Sequence, residues 1–149
     1  MILLDANATS GARIAVFCEP SIDLYATMLA FFLIGAVFVP LDISVPALRR
    51  NDIIKACKPH AVVFHATTAE DVASNHADRG SEMKLLNITR IARNHPQDYP
   101  LTIPEQTTPE PGSDSHIIFM SGSTGVPKGI RPHQRGIMNF AAITSNQTI

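Results

Sequence analysis

Cysteine is scarce here. Cys18 and Cys57 are the only two, and neither belongs to a CxxC nor sits beside a paired histidine, so neither a zinc site nor a disulfide framework is signalled. A reducing, cytoplasmic setting fits that usage. Charge of one sign is lacking too. Twelve Lys and Arg stand against thirteen Asp and Glu, with a pI near 6.6 and no long run of like charge. That balance supplies no electrostatic reason to bind nucleic acid or an anionic membrane. The six histidines are scattered, as solvated or core-edge imidazoles are, and no metal ligand is assigned. No charged segment precedes the first apolar residues, so no signal peptide is read and the sequons at Asn7, Asn87 and Asn146 carry little weight. What is present is 45% hydrophobic residues over 149 positions, the length and composition of one ordinary globular domain.

Leu24 to Leu41 runs for eighteen residues without a charge, which just reaches the length of a membrane span. Gly35 and Pro40 divide it into a helix-like and a strand-like half, Asp23 and Asp42 bracket it, and no basic flank adjoins it. A buried helix feeding a buried strand is the expectation, not a membrane segment.

The rest of the chain follows the same rhythm. Ile14 to Cys18 has the form of a buried strand. Pro20 and Ser21 then read as a turn and an N-cap, with Asp23 favourably placed in the first helical turn. The helix is expected over Ile22 to Ile34, with Gly35 as its C-cap, and a strand over Val37 to Leu41. Pro46 opens a second helix reaching Cys57, and Ala61 to His65 is the next strand. A helix near Glu70 to His76 and a strand near Lys84 to Ile88 continue the alternation. Such alternation predicts an α/β fold, with a mainly parallel sheet and flanking helices. From 94 to 115 five of the eleven prolines gather, which reads as a loop or linker. His116 to Met120 is then a strand, and Gly136 to Ile143 begins a helix.

Between that last strand and helix lies Ser121-Gly122-Ser123-Thr124-Gly125-Val126-Pro127-Lys128-Gly129, with three glycines, three hydroxyl side chains and one lysine in nine residues. Glycines admit positive φ and close approach of backbone N–H groups, forming a concave nest suited to phosphate oxygens. The hydroxyls of Ser121, Ser123 and Thr124 can donate to those oxygens, and Lys128 adds a mobile point charge. Pro127 holds Val126 extended. By composition alone a flexible Gly/Ser turn is the simpler reading. The GxxxxGK[ST] loop does not fit, because Pro127 precedes the lysine and Gly129 follows it.

SGSTGVPKG resembles the signature loop of the adenylate-forming (AMP-binding) superfamily, which includes acyl-CoA synthetases, luciferases and the adenylation domains of nonribosomal peptide synthetases. Upstream, Gly35-Ala36-Val37-Phe38-Val39-Pro40-Leu41-Asp42 followed by Pro46 and Arg49 is similar to the AGxxYVPLDxxxPxxR core of the peptide synthetase branch. With IAVFCEPSIDL, the resemblance covers the chain from about Gly11 onward. Four positions depart from the pattern. Leu33 stands where a lysine is common, Ile43 where proline is, Met120 where a hydroxyl residue precedes the loop, and Gln134 where a histidine is frequent. The last resembles adenylation domains of fungal polyketide–peptide hybrid synthetases, although His133 takes the histidine's place if the alignment slips by one.

The resemblance implies ATP-dependent activation of a carboxylate, an amino acid in this branch, as an acyl-adenylate with release of pyrophosphate, followed by transfer to a thiol. ATP and Mg²⁺ are the implied cofactors. The acceptor is a carrier-protein phosphopantetheine or CoA. Ser121, Gly122, Ser123, Thr124, Gly125 and Gly129 are assigned to the β- and γ-phosphates, with Lys128 as a supporting catalytic cation. Asp42, Pro46 and Arg49 are given structural roles. Segments typical of the family that hold adenine, ribose and metal, the substrate pocket, the hinge and the C-terminal lysine have no counterpart in these 149 residues. The expectation is therefore an incomplete N-terminal subdomain, residues 1–149 being part of an adenylation domain that is not competent alone. The competing expectation is a noncatalytic fragment that binds nucleotide or protein through an unpaired sheet edge.

Overall fold

A computed structural model describes residues 9–70, 72, 83–89, 109–120 and 127–145 of the chain. Four strands, β1 (Arg13–Phe17), β2 (Val37–Pro40), β3 (Ala61–Phe64) and β4 (Lys84–Asn87), form a parallel sheet in the order β2-β1-β3-β4. Helix α1 (Ile22–Ile34) links β1 to β2, and α2 (Ala47–Cys57) carries the chain back across β1 to β3. The two crossovers run in opposite directions along the sheet and the helices lie on opposite faces, the arrangement that the usual right-handed connection produces. The side-chain alternation of β1 records this. Ile14 and Val16 pack with Phe31 on the α1 side, while Ala15 and Phe17 pack with Ile53, Ile54 and Cys57 on the α2 side.

The ends of α1 are set by local chemistry. Ser21 accepts the Leu24 N–H at 3.2 Å as N-cap, replacing one partner that the first turn lacks. At the other end Gly35 adopts φ 69°, so that its own N–H and that of Ala36 reach back to the carbonyls of Phe32 and Phe31. A Cβ there would also lie 2.8 Å from Ser10 Oγ. The expected helix and strand are thus two elements, and no helix among the described residues is long and apolar enough to cross a membrane. One expectation needs correcting. The strand is buried, but α1 buries only one face, and its outer stripe of Ile22, Tyr25, Leu29 and Leu33 is exposed. The uncharged stretch is thus a helix that is apolar on both sides, not one covered on both sides.

Helix α2 begins at Pro46, which occupies the cap position rather than the first turn, and closes at Lys58 in the left-handed region at φ 44°. Of the expected helix over Glu70 to His76 only Glu70 and Val72 are described, both helical, and the rest of it and most of the proline-rich 94–115 segment fall outside the described residues. The described end of that segment is built into the fold. Ser115 is fully buried, and Asp114 forms an antiparallel bridge with His133.

Two further strands, β5 (Ile118–Met120) and β6 (Lys128–Ile130), pair antiparallel. The chain just before β5 docks on the free edge of β2. Phe38 N–H donates to the Ser115 carbonyl at 3.1 Å, and Ile117 N–H to the Phe38 carbonyl at 2.8 Å. Helix α3 (Gln134–Ser145) follows β6.

Candidate functional site

The β5–β6 pair is a hairpin whose register sets Met120 opposite Lys128. Residues 121–127 are therefore strung between two paired strand ends. Of the residues assigned to phosphate binding, Ser121, Gly122, Ser123, Thr124 and Gly125 lie outside the described residues. Lys128 and Gly129 are described, and they belong to β6 rather than to the loop itself. Lys128 is exposed, and no ion pair joins it to another described residue.

Gly129 is glycine for a reason the loop's composition did not suggest. Its φ is not positive. Instead it lies opposite Phe119, and an added Cβ would come 3.0 Å from Ile117 Cγ2 and 3.3 Å from Phe119 Cε1. Missing side-chain volume lets β6 settle against Ile117 and Phe119, both of which pack on the α2 side of the sheet.

The upstream motif is brought to this hairpin. Arg49 Nη2 donates to the Met120 carbonyl at 2.9 Å, a contact between residues 71 positions apart that spacing alone could not reveal. Its neighbour Arg50 turns the other way. It donates to the carbonyls of Ile43, at 3.3 Å, and Val45, and its guanidinium lies 4.6 Å from the Phe17 ring centroid, a cation–π distance. Asp42 closes the turn between β2 and α2 by accepting the Ser44 hydroxyl at 2.7 Å and the Ser44 N–H at 2.8 Å. Those two bonds, the hydroxyl's foremost, hold its carboxyl below the usual carboxylate range. The structural roles read for Asp42, Pro46 and Arg49 correspond to a turn, a helix start and a strap.

Val16, Cys18, Pro40, Leu41, Arg49 and Phe119 are among the residues lining a cavity of about 530 Å³. Its walls come from the carboxyl ends of β1 and β2 and from β5, the end of the sheet at which open α/β folds place their ligand crevices. Burial, with a smaller contribution from Asp23, pushes the Cys18 thiol up to about 12, so at neutral pH it is a packing group and not a nucleophile. The other side of the hairpin base is polar. Asp114 accepts from Arg131 Nε at 2.7 Å and from Nη2, and Ser115 Oγ donates to the Pro132 carbonyl at 3.0 Å. His116 Nδ1 lies 2.9 Å from that same hydroxyl, and partial burial lowers its pKa. Gln134, at the start of α3, is buried, and its Nε2 has no hydrogen-bond partner among the described residues. His133 beside it is exposed and 3.9 Å from Asp114. No group of three or more His, Cys, Asp or Glu able to hold a metal gathers among the described residues, and none of them is assigned to Mg²⁺.

Comparison with known proteins gives this geometry a setting. The chain is 32% identical over 149 residues to the hybrid PKS-NRPS synthetase iccA of Talaromyces variabilis, covering 97% of this chain and 4% of that protein. It is 34% identical over 143 residues to the fumosorinone synthetase of Cordyceps fumosorosea, covering 96% of this chain and 3% of that protein. It thus spans about 3–4% of the length of these relatives. Among solved structures, the Klebsiella oxytoca NpsA N-terminal subdomain superposes with a TM-score of 0.70 at 27% identity, over 91% of this chain and 32% of that one. A Mycobacterium tuberculosis fatty acyl CoA synthetase shares the fold, with a TM-score of 0.76 at 19% identity over 92% of this chain and 27% of that one. A family model described as AMP-binding enzyme matches residues 1–148, and the chain, which has the α/β fold of N-terminal subdomains of adenylate-forming enzymes, belongs to that family.

Proposed function

We propose that the chain supplies the phosphate-binding part of an adenylation domain that activates an amino acid with ATP. The observation carrying this reading is the hairpin. Met120 and Lys128 are paired at the end of the hairpin, so the first seven residues of SGSTGVPKG connect its two arms, and Lys128 stands exposed on the returning arm, free to approach an anion. The chemistry asks for little covalent help from the protein. A carboxylate oxygen attacks the α-phosphorus, a new P–O bond forms, and the bond to the β-phosphate breaks, releasing pyrophosphate. A thiol then attacks the acyl carbonyl, and AMP leaves. Negative charge develops on phosphate oxygens in the first step, where preplaced N–H groups, hydroxyls and a cation are most effective. Ser121, Ser123 and Thr124 would donate to the β- and γ-oxygens, with Gly122 and Gly125 admitting close approach, Gly129 seating the returning strand behind them, and Lys128 stabilising the developing charge. Bound Mg²⁺ would neutralise more of it, with ligands from outside the described residues.

The carrier thiol of the second step would be phosphopantetheine, in keeping with relatives named as hybrid PKS-NRPS synthetases. The chain covers about a third or less of the adenylate-forming structures named above, which supports the further proposal that it is not competent alone. The test is substrate-dependent exchange of labelled pyrophosphate into ATP. Exchange by the polypeptide extending beyond Ile149, and none by residues 1–149, is the expected result. Robust exchange by residues 1–149 alone would overturn the claim of incompleteness. A noncatalytic protein-binding role is the second reading, favoured by the exposure of all three β6 residues. Absence of exchange from every extended form, with partner capture through β6, would support it instead.

A further inference from the structure

We propose that Arg49 is a positioning residue for the phosphate site: from α2 it fixes the carbonyl of Met120, and through the pairing of Met120 with Lys128 it sets where that lysine stands. The inference rests on the reading that 121–129 holds the phosphates of ATP.

The hairpin needs such a strap. Ile117 is buried in the α2-side core and Phe119 is half-buried against it, but Ile118 and, at the loop end, Met120 are exposed, at 45% and 53%, and so is all of β6. Burial therefore holds the base of the hairpin and not the end that carries the loop. At that end the described structure offers the bond from Arg49 Nη2 to the Met120 carbonyl, 2.9 Å long and charge-assisted. Because Met120 is paired with Lys128, fixing one arm fixes the other. The loop's entrance and its lysine are held as a unit.

The support behind Arg49 is firm. Ile53, Ile54 and Cys57 of the same helix are buried in the core, and Arg50 ties the helix start to Ile43 and Val45 and covers the Phe17 ring. Position is thus passed from a packed helix through one planar side chain to a peripheral hairpin. Lysine can donate to the same carbonyl but lacks the rigid fork and reach of the guanidinium. Glutamine is both shorter and uncharged.

The experiment measures pyrophosphate exchange at varied ATP and varied carboxylate in the adenylating polypeptide that contains this chain, alongside its melting temperature. Arg49→Gln is expected to lower kcat/KM for ATP by about 10- to 100-fold, the scale on which small misplacements of reacting groups are felt, with the KM for carboxylate unchanged. Arg49→Lys should give an intermediate loss of roughly threefold to tenfold, and it serves as the test where the glutamine variant does not fold. Combined with Lys128→Ala, either Arg49 variant should lose less than the product of the single losses, because both act through one hairpin. Wild-type ATP kinetics in the folded Arg49 variants would overturn the proposal. So would losses that multiply independently with Lys128→Ala, or that appear only as less folded protein. Lys128→Ala and Thr124→Ala without effect would instead overturn the phosphate-loop reading itself, whereas an impaired Lys128→Ala beside a normal Arg49→Gln would reject Arg49 alone.

Discussion

Gly129 tests whether glycine at the end of the loop motif serves backbone freedom or packing. Its added Cβ would lie 3.0 Å from Ile117 Cγ2 and 3.3–3.4 Å from two atoms of the Phe119 ring. The two neighbours differ in what they can give. Phe119 is only partly buried and can swing outward, whereas Ile117 is 6% exposed, β-branched and stiff at χ1. For Gly129→Ala, crowding near the low end of the usual 1–3 kcal/mol for overpacking is set against about 0.5–1 kcal/mol recovered by removing a glycine from a strand. A net change of about 0–1 kcal/mol follows. Gly129→Val puts two more methyl groups into the same gap and should cost about 2–3 kcal/mol, lowering the melting temperature by roughly 4–12 °C for a chain of this size. Urea unfolding followed by circular dichroism reads both variants. Ile117→Ala lowers stability by itself but opens the gap, so the valine should cost much less in that background, a coupling of the kind contacting residues show. If Gly129→Val is as stable as the parent, or its cost is the same with and without Ile117, the packing account of Gly129 is wrong.

Phe31 is fully buried, with its ring 6.3 Å from that of Phe38, so Phe31→Ala should cost about 3–5 kcal/mol. A shift in urea midpoint worth under 1 kcal/mol would mean that α1 is not held to the sheet by this ring. Cys18, with its thiol pushed up to about 12, should resist a thiol-selective disulfide reagent at pH 8 until the protein is unfolded, and prompt native-state labelling at Cys18, located by peptide mass, would contradict its burial. Asp42 has a depressed pKa in the fold, so its contribution is present above the ordinary carboxylate pKa and is lost as pH falls through the folded value. Asp42→Asn should accordingly lower the melting temperature slightly at pH 7 and not at all at the acid end, and a deficit that persists unchanged in acid would point away from the carboxylate.

Where local chemistry decides an element, the sequence could be read closely. Ser21 and Gly35 bracket α1 because one side-chain acceptor and one left-handed backbone position are enough to end a helix. The β-α-β alternation likewise implied a parallel sheet before any register was known. Lys128 and Gly129 were less legible. A strand of three residues carries no periodicity, and its pairing with β5 depends on a partner rather than on its own residues. The Arg49 to Met120 bond was hidden for the same reason, since it joins residues 71 apart through a topology that no spacing encodes. The outer face of α1 failed differently. An apolar stripe predicts burial only when something covers it, and the described residues leave Ile22, Tyr25, Leu29 and Leu33 exposed.

The four departures from the family pattern separate by the same physics. Leu33, Ile43 and Met120 are 51%, 38% and 53% exposed, so a lysine, a proline or a hydroxyl residue there would stand where solvent reaches the side chain. At Met120 the strap from Arg49 falls on the backbone carbonyl, which every residue supplies, and the side chain is left free to vary. Gln134 is the exception. It is 7% exposed, with an amide nitrogen that has no partner among the described residues, and an unmet buried donor typically costs about 1–3 kcal/mol. The helix start it occupies is nonetheless well tied, because its own N–H donates to the Ser113 carbonyl at 2.9 Å and that of Arg135 to Pro111 at 3.0 Å. Those bonds belong to the backbone and are indifferent to whether glutamine or histidine stands there. The exchange at 134 therefore bears on what a buried side chain can donate to, while the exchanges at 33, 43 and 120 fall at exposed positions.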